Sequence, residues 1–247
     1  MPIGDETKPA CLVINRAMNS ARKTPANTPA HTFTVAAKIC GLKDPASIDA
    51  VVGGGARYIG LNFFPPSPRA VTPDRAGALA PLIPASVQKV GLFVDPDDDL
   101  LRDVLSRVSF DLIQLHGNES PERVAAVKAL TDRPVMKAIK VAGARDLDNA
   151  AAFDGVADLL LFDTKAPKDM AHALPGGNGL VFDWNLLAGR RWQQPWMLAG
   201  GLNAGNVAQA VTIAGAALVD VSSGVERAPG EKDNAAIKAF LDAVKAL

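Results

Sequence analysis

The 247-residue sequence has little that would tie it to an oxidising compartment, a membrane or a polyanion. It has only two cysteines, Cys11 and Cys40, no run of ~18 apolar residues, and no basic-then-apolar leader. Lysine plus arginine and aspartate plus glutamate both number 26, so no net field draws the molecule to nucleic acid or an anionic membrane. We therefore expect a cytoplasmic protein without nucleic-acid or membrane partners, in which any bound anion is held locally.

Metal-binding patterns are also missing. His31, His116 and His172 lie far apart without metal-ligand spacing, and the two cysteines do not form a C-x-x-C pair. We expect neither a metal nor another cofactor.

What the sequence does have is a repeating pattern of strands and helices. Its 48% hydrophobic content is typical of globular proteins, and from Phe33 onward short apolar runs alternate with amphipathic stretches, as in repeated βα units. Eight strands are predicted, at 34–39, 58–63, 88–93, 112–115, 135–141, 159–162, 196–198 and 218–221. Helices are predicted at 45–52, 74–82, 99–108, 121–130, 203–213 and 233–246, and less clearly at 145–152 and 183–187.

This pattern predicts a single α/β domain, a parallel (β/α)8 (TIM) barrel over residues 33–247. An open doubly wound sheet is the alternative, since the same alternation builds it. Residues 1–32 differ in texture and are interpreted as a flexible N-terminal extension. Two other interpretations remain open: a short docked helix over 10–18, or a start site placed too far upstream.

In a parallel barrel, catalytic groups collect where the strands end. The ends of predicted strands seven and eight carry Gly200-Gly201 and Ser222-Ser223-Gly224, whose backbone amides and hydroxyls suit a phosphate group. One Gly-Gly pair alone would indicate only a strained turn, but two such loops after adjacent strands favour phosphate binding.

A thiol and a carboxyl group are predicted at the same mouth. Period-two alternation places Lys38 and Cys40 on one face of the first strand, where Cys40 is either a general base or a small buried hydrophobe. Lys38 is expected to pair with Asp220, because strands one and eight are neighbours in a closed barrel. Asp163 follows the sixth strand and is either an acid in the pocket, a helix cap or an ion-pair partner.

The loop after the second strand contains three prolines that would fix Arg69, either as a bidentate carboxylate clamp or as a surface arginine. Phe63 and Phe64 either line a wall for an aromatic ring or pack beneath this loop. The long segment 165–179 is a candidate mobile cover or plain irregular surface.

Seven motifs resemble those of phosphoribosylanthranilate isomerases, in order and in spacing. They are K-I-C-G at 38–41, G-L-N-F-F-P-P-S-P-R at 60–69, G-L-F-V at 91–94, I-Q-L-H-G at 113–117, F-D-T at 162–164, L-A-G-G-L at 198–202 and D-V-S-S-G-V-E at 220–226. The first and last are the most specific, and the resemblance runs from about residue 35 to the C-terminus. The segment before Phe33 is a departure from the family pattern.

The resemblance implies an Amadori rearrangement of N-(5-phosphoribosyl)anthranilate in tryptophan biosynthesis. Cys40 would be the general base at C2 and Asp163 the general acid at the furanose ring oxygen. Arg69 would hold the anthranilate carboxylate, and the phosphate would lie on Gly200, Gly201, Ser222, Ser223 and Gly224. The roles of Asp220, His116 and Gln114 stay open, and a monomer or weak homodimer is expected.

Three other functions fit the sequence less well. The related histidine-pathway isomerase uses a pair of aspartates, whereas strand one here ends in Cys40. A phosphopentose epimerase would need metal-ligating histidines at strand ends. A non-catalytic phosphate-binding barrel would not need both Cys40 and Asp163 beside the phosphate loops.

Overall fold

Eight parallel strands close into a barrel in a computed structural model of the protein, which describes residues 34–167, 170 and 174–247. The strands are β1 (Ala36–Cys40), β2 (Tyr58–Asn62), β3 (Gln88–Phe93), β4 (Leu112–Leu115), β5 (Val135–Val141), β6 (Leu159–Thr164), β7 (Trp196–Leu198) and β8 (Leu218–Val221). Each pairs in parallel with the next, and β8 pairs with β1 to complete the ring. The predicted TIM barrel is confirmed, and the open sheet is excluded.

Seven α-helices follow strands in the described residues. They are α1 (Pro45–Gly53), α2 (Pro73–Leu79), α3 (Asp98–Arg107), α4 (Pro121–Thr131), α5 (Ala144–Asp148), α6 (Val207–Ala214) and α7 (Asn234–Lys245). Thr72 and Ser120 each accept a hydrogen bond from the backbone amide three residues on, and a proline occupies the first helical position after each. The helices predicted from residues 74 and 121 therefore begin at Pro73 and Pro121.

Four predicted helices differ in detail from the observed ones. The helix predicted over 74–82 is α-helical only to Leu79 and continues as a 3-10 turn at Ala80–Leu82. The helix predicted over 203–213 begins only at Val207, because Asn203 and Asn206 accept hydrogen bonds from nearby backbone amides and form a polar turn instead. The 145–152 segment divides into α5 and a 3-10 turn at Asn149–Phe153. The 183–187 segment is a 3-10 turn at Trp184–Leu186, and the described part of the β6–β7 connection contains no α-helix.

Two hydrophobic layers hold the barrel together. The larger lies between the strands and the helices, and α7 contributes Ile237, Phe240, Leu241 and Val244 at helical spacing. The smaller fills the barrel interior with Tyr58, Val90, Leu112, Met136, Ala138, Leu159, Leu161, Met197 and Ala199. Towards the carboxyl ends of the strands, the buried groups become polar, including Lys38, Gln114, Asp163 and Asp220. The fold thus places polar and ionisable side chains at one end of an apolar core.

A short antiparallel hairpin after β8 was not predicted. Its strands are β9 (Glu226–Ala228) and β10 (Glu231–Lys232), and it brings Glu226 and Lys232 back toward the barrel mouth. The predicted extension over 1–32, with Cys11 and His31, lies outside the described residues, as does His172.

Candidate active site

A pocket opens at the carboxyl ends of the barrel strands and gathers residues that lie far apart in the sequence. Seven of the predicted site residues line it, namely Cys40, Arg69, Asp163, Gly200, Gly201, Ser222 and Ser223. Gly224 is exposed and is not among the lining residues. Phe64 lines the pocket, whereas Phe63 stacks on Phe93 at 5.1 Å between ring centroids and packs beneath the loop.

Cys40 is the last residue of β1 and is 5% exposed. Lys38, fully buried on the same face, donates a hydrogen bond to Asp220 Oδ1 at 2.9 Å, so the predicted Lys38–Asp220 pair is confirmed. Gly60 leaves room for both side chains of β1, since a methyl group there would lie 2.8 Å from Cys40 Sγ and 3.2 Å from Lys38 Nζ. The thiol therefore faces the pocket beside a buried cation.

Burial and charge set the protonation of this group. Burial raises the pKa of the Cys40 thiol above its usual 9.0, and the nearby Lys38 ammonium only partly opposes it. For Lys38, burial lowers the pKa, but Asp220 and Cys40 outweigh that effect and hold it above 10.5. In the ligand-free protein, Cys40 is a protonated thiol at neutral pH, with a charged lysine beside it.

Asp163 faces the pocket from β6 and is 6% exposed. Its Oδ1 accepts a hydrogen bond from the Thr164 amide at 2.8 Å, and its Oδ2 lies 3.1 Å from His116 Nε2. His116 Nδ1 in turn lies 2.9 Å from Gln114 Nε2, with both side chains buried. The motif I-Q-L-H-G therefore supplies the contacts of the candidate acid, a role that the sequence left open.

Arg69 is buried, not a surface arginine. Its Nε and Nη2 donate to the two carboxylate oxygens of Glu226, each at 2.8 Å, and Lys232 Nζ donates to Glu226 Oε1 at 2.8 Å. Asn62 and Ser67 hydrogen-bond each other at 3.1 Å and brace the proline-rich loop. Two cations on one carboxylate leave a local positive charge at the pocket wall.

Sequence reasoning missed Glu226 and Lys232 as parts of this site. Glu226 ends the D-V-S-S-G-V-E motif, but nothing in the motif indicates that its partner is Arg69, 157 residues away. Burial raises the pKa of Glu226, but the hydrogen bond from Arg69 and the charge of Lys232 outweigh it, and the pKa lies below 4.5. The carboxylate is ionised at neutral pH and fixes the plane of the guanidinium group.

The two glycine-containing loops lie side by side. Gly200 and Gly201 have φ angles of 89° and 62°, which favour glycine. Glycine is therefore needed at both positions partly for the conformation of the backbone. Ser222 Oγ donates to the Cys40 carbonyl at 3.2 Å, which ties the β8 loop to β1. Gly224 packs directly on the Leu202 carbonyl, where a methyl group would lie only 1.8 Å from the oxygen. Because Gly224 has no side chain, the loop after β8 can pack directly on the loop after β7.

Residues 174–179 of the predicted cover, together with Leu180, line the pocket. The Gly177 carbonyl accepts a hydrogen bond from Arg69 Nη2 at 3.1 Å. Methyl groups added at Gly176 would lie 2.6 Å from His116 Nε2 and 2.7 Å from Asp163 Oδ2. The diglycine tip therefore touches the candidate acid and the candidate carboxylate clamp together.

The two lysines of β5 separate in the structure. Lys137 points away from the pocket and pairs with buried Glu119 at 2.7 Å, joining β5 to the loop after β4. Lys140 is half-buried and lies opposite Asp163 in the β5–β6 register. Burial lowers its pKa and Lys137 lowers it further, against the attraction of Asp95, Glu119 and Asp163.

The described residues contain neither a cluster of metal ligands nor a membrane-spanning helix. Within residues 34–167 and 174–247, no three His, Cys, Asp or Glu side chains are grouped so that they could hold a metal ion. None of the helices in the described part of the chain is long and apolar enough to cross a membrane.

The barrel and its pocket at the carboxyl ends of the strands define the class of protein, a (β/α)8-barrel enzyme. Residues 37–243 match the family model described as N-(5'phosphoribosyl)anthranilate (PRA) isomerase. The chain belongs to this family, and it is an isomerase of tryptophan biosynthesis.

Curated relatives and solved structures agree with the family model. The chain is 61% identical over 213 residues to the N-(5'-phosphoribosyl)anthranilate isomerase of Rhodospirillum centenum, covering 86% of this chain and 99% of the relative. The crystal structure of the Thermotoga maritima enzyme superimposes with a TM-score of 0.77 at 34% identity, covering 86% of this chain and 100% of that one. A phosphoribosyl anthranilate isomerase in complex with reduced 1-(o-carboxyphenylamino)-1-deoxyribulose 5-phosphate has a TM-score of 0.74 at 33% identity, with the same coverage.

Proposed function

We propose that the protein converts N-(5-phosphoribosyl)anthranilate to 1-(2-carboxyphenylamino)-1-deoxyribulose 5-phosphate, with Asp163 as general acid and Cys40 as general base. The observation that carries the proposal is that both side chains line one pocket, with Arg69 and the two glycine-containing loops around them. The bound product analogue in a related structure supports the same substrate class.

Asp163 would act first. Its Oδ2 would deliver a proton to the furanose ring oxygen as the ring opens, which leaves a protonated imine between C1 and the anthranilate nitrogen. His116 and the Thr164 amide would stabilise the carboxylate that remains, because both are placed to hydrogen-bond it.

Cys40 would act second. The protonated imine makes the proton at C2 acidic, and the thiolate would remove it to give an enol that becomes the ketone. The adjacent Lys38 ammonium favours the thiolate, although burial opposes it in the ligand-free protein. The thiol must therefore release its proton to solvent in the pocket before this step, and Lys38 lowers the cost of that loss.

Arg69 would bind the anthranilate carboxylate through the part of its guanidinium group that Glu226 leaves free. Glu226 uses Nε and one hydrogen of Nη2, so Nη1 and the second hydrogen of Nη2 remain. The Gly177 carbonyl, which now accepts from Nη2, would be displaced by the carboxylate.

The phosphate group would lie between the β7 and β8 loops. Gly200, Gly201, Ser222 and Ser223 line the pocket there, and Gly224 would contribute through its backbone. We also infer that the enzyme works in the cytoplasm, needs no cofactor, and is a monomer or weak homodimer.

The decisive experiment follows the fluorescence of N-(5-phosphoribosyl)anthranilate, generated in the assay, with native protein, Cys40→Ala and Asp163→Asn. Each variant is expected to lose at least ~10²-fold in kcat. Cys11→Ala, at the other cysteine, and Asp99→Asn, at a side chain that is 96% exposed, make the same chemical changes elsewhere and serve as matched controls.

Native-like turnover by either site variant would contradict its assigned role. If the native protein is inactive on this substrate, the functional proposal fails, and the imidazole carboxamide substrate of the histidine pathway is tested next.

A further inference from the structure

Gln114, His116 and Asp163 form a chain of three buried side chains beside the pocket. Gln114 is fully buried, His116 is 5% exposed and Asp163 is 6% exposed. The links are 2.9 Å from Gln114 Nε2 to His116 Nδ1 and 3.1 Å from His116 Nε2 to Asp163 Oδ2. Asp163 is therefore connected to a side chain that does not line the pocket.

The Gln114 end of this series of hydrogen-bonded side chains has an unsatisfied acceptor. Gln114 Oε1 is buried and has no hydrogen-bond partner among the described residues. A carboxamide presents a donor at one end and an acceptor at the other, so a half-turn exchanges them. With Oε1 otherwise unbound, His116 is the group that determines which end of the amide faces it.

The orientation of the amide selects the tautomer of His116. When Gln114 donates through Nε2, Nδ1 must be the acceptor, and the imidazole carries its proton on Nε2, which donates to an ionised Asp163. When Gln114 turns and accepts through Oε1, Nδ1 carries the proton, and the lone pair of Nε2 faces Asp163. In the first arrangement, Nε2–H can donate to Asp163 Oδ2 both when the carboxyl group is ionised and when it is protonated, because a carboxylic acid keeps acceptor lone pairs.

We propose that Gln114 is a positioning residue that keeps His116 hydrogen-bonded to Asp163 whether that carboxyl group holds its proton or has delivered it. The inference rests on the proposed role of Asp163 as the general acid. It assigns to Gln114 the task of holding the imidazole proton on Nε2, where it can be donated to both states of the acid.

Gln114→Glu and Gln114→Met test the proposal at nearly constant volume. Glutamate is an acceptor when ionised, so it holds the proton on Nδ1, favours a charged imidazole between two carboxylates, and favours the ionised form of Asp163. We expect kcat at neutral pH to fall at least ~10-fold, and the high-pH limb of the kcat profile to move to lower pH. Methionine supports neither tautomer, so kcat falls and the limb stays in place.

The other titratable groups that face Asp163 are the same in both variants. They are Lys140, opposite Asp163 on β5, His116 beyond β4, and Asp220 on β8. A purely structural role for Gln114 predicts lower kcat in both variants with no movement of the limb. That result, with both variants folded by circular dichroism, would overturn the proposal.

A second pair of variants keeps the test decisive if Gln114→Glu does not fold. The amide of His116→Gln offers Asp163 either a donor or an acceptor, whereas His116→Leu offers neither. We expect the glutamine variant to retain at least ~10-fold more kcat, and equal losses would overturn the inference.

Asp163→Asn separates this inference from the proposed function. If Asp163→Asn keeps native kcat, the proposed acid is wrong and the inference fails with it. If Asp163→Asn is inactive but the limb of Gln114→Glu does not move, the acid assignment stands and the inference alone fails.

Discussion

Burial and charge act in opposite directions on the Cys40 thiol. Burial is the larger influence and raises its pKa, Lys38 lowers it, and Asp220 raises it again by a smaller amount. The residue combines a shielded position, which protects the thiol from side reactions, with a cation that makes its ionisation less costly.

Alkylation of Cys40 should report this balance. In a Cys11→Ala background, reaction with iodoacetamide is expected to be slow at neutral pH and to rise through the alkaline range, because only the thiolate reacts. Lys38→Met combined with Asp220→Asn removes the pair without leaving a buried charge. Since the influence of Lys38 on the thiol exceeds that of Asp220, the double variant should react more slowly at each pH. Faster reaction would contradict this account.

Glu226 should contribute stability that depends on pH. Its pKa in the folded protein lies below 4.5, so its contribution is present above the unfolded pKa and is lost as pH falls through the folded pKa. Urea unfolding of Glu226→Gln should show a loss in free energy of unfolding at neutral pH that shrinks below about pH 4.5. Glu231→Gln, an exposed carboxyl in the same hairpin, is the control and should differ little from native. A constant difference across the acid range would contradict the prediction.

Among the structural elements, the loop at 174–180 forms part of the pocket, whereas helix α7 forms part of the hydrophobic core. The loop reaches the pocket through backbone atoms, since Gly177 contacts Arg69 and Gly176 lies against His116 and Asp163. No residue of helix α7 lines the pocket, and the helix packs its apolar face against the barrel.

Gly176→Ala should therefore impair catalysis without unfolding the barrel. The added methyl group would lie within 2.7 Å of two hydrogen-bonded side chains, so the loop tip must shift. We expect kcat/KM to fall at least ~10-fold, because a displacement of about 1 Å near the reacting groups can cost as much as ~10²-fold. Gly143→Ala, where a methyl group meets nothing within 4 Å, is the matched control. Native activity in Gly176→Ala would show that the tip moves freely.

Phe240→Ala should lower stability and leave the site's chemistry intact. Phe240 is fully buried in the layer between the strands and the helices, and truncation of such a residue costs about 3–5 kcal/mol. Lys238→Ala on the exposed face of α7 should cost at most ~0.5 kcal/mol. Urea unfolding of both variants measures the difference, and equal losses would contradict the assigned packing.

For the whole molecule, periodicity predicted the strands within about two residues, because burial on both faces gives each strand a continuous apolar run. The Lys38–Asp220 pair was predictable because barrel closure fixes which strands are neighbours. The hairpin of β9 and β10 could not be predicted, since its strands are short and mostly exposed. The contact between Arg69 and Glu226 could not be predicted either, because side-chain pairs between loops follow no periodicity.

The ring of strands is not equally strong all the way round. β7 and β8 share a single register pair, Leu198 with Val219, whereas β5 and β6 share six, from Met136–Leu159 to Val141–Thr164. The loops proposed to hold phosphate leave the barrel on either side of this weak seam. A phosphate group bound by both loops would connect β7 to β8. The phosphate end of the substrate, which does not react, would then suppress local separation of these two strands and protect their backbone amides from hydrogen exchange.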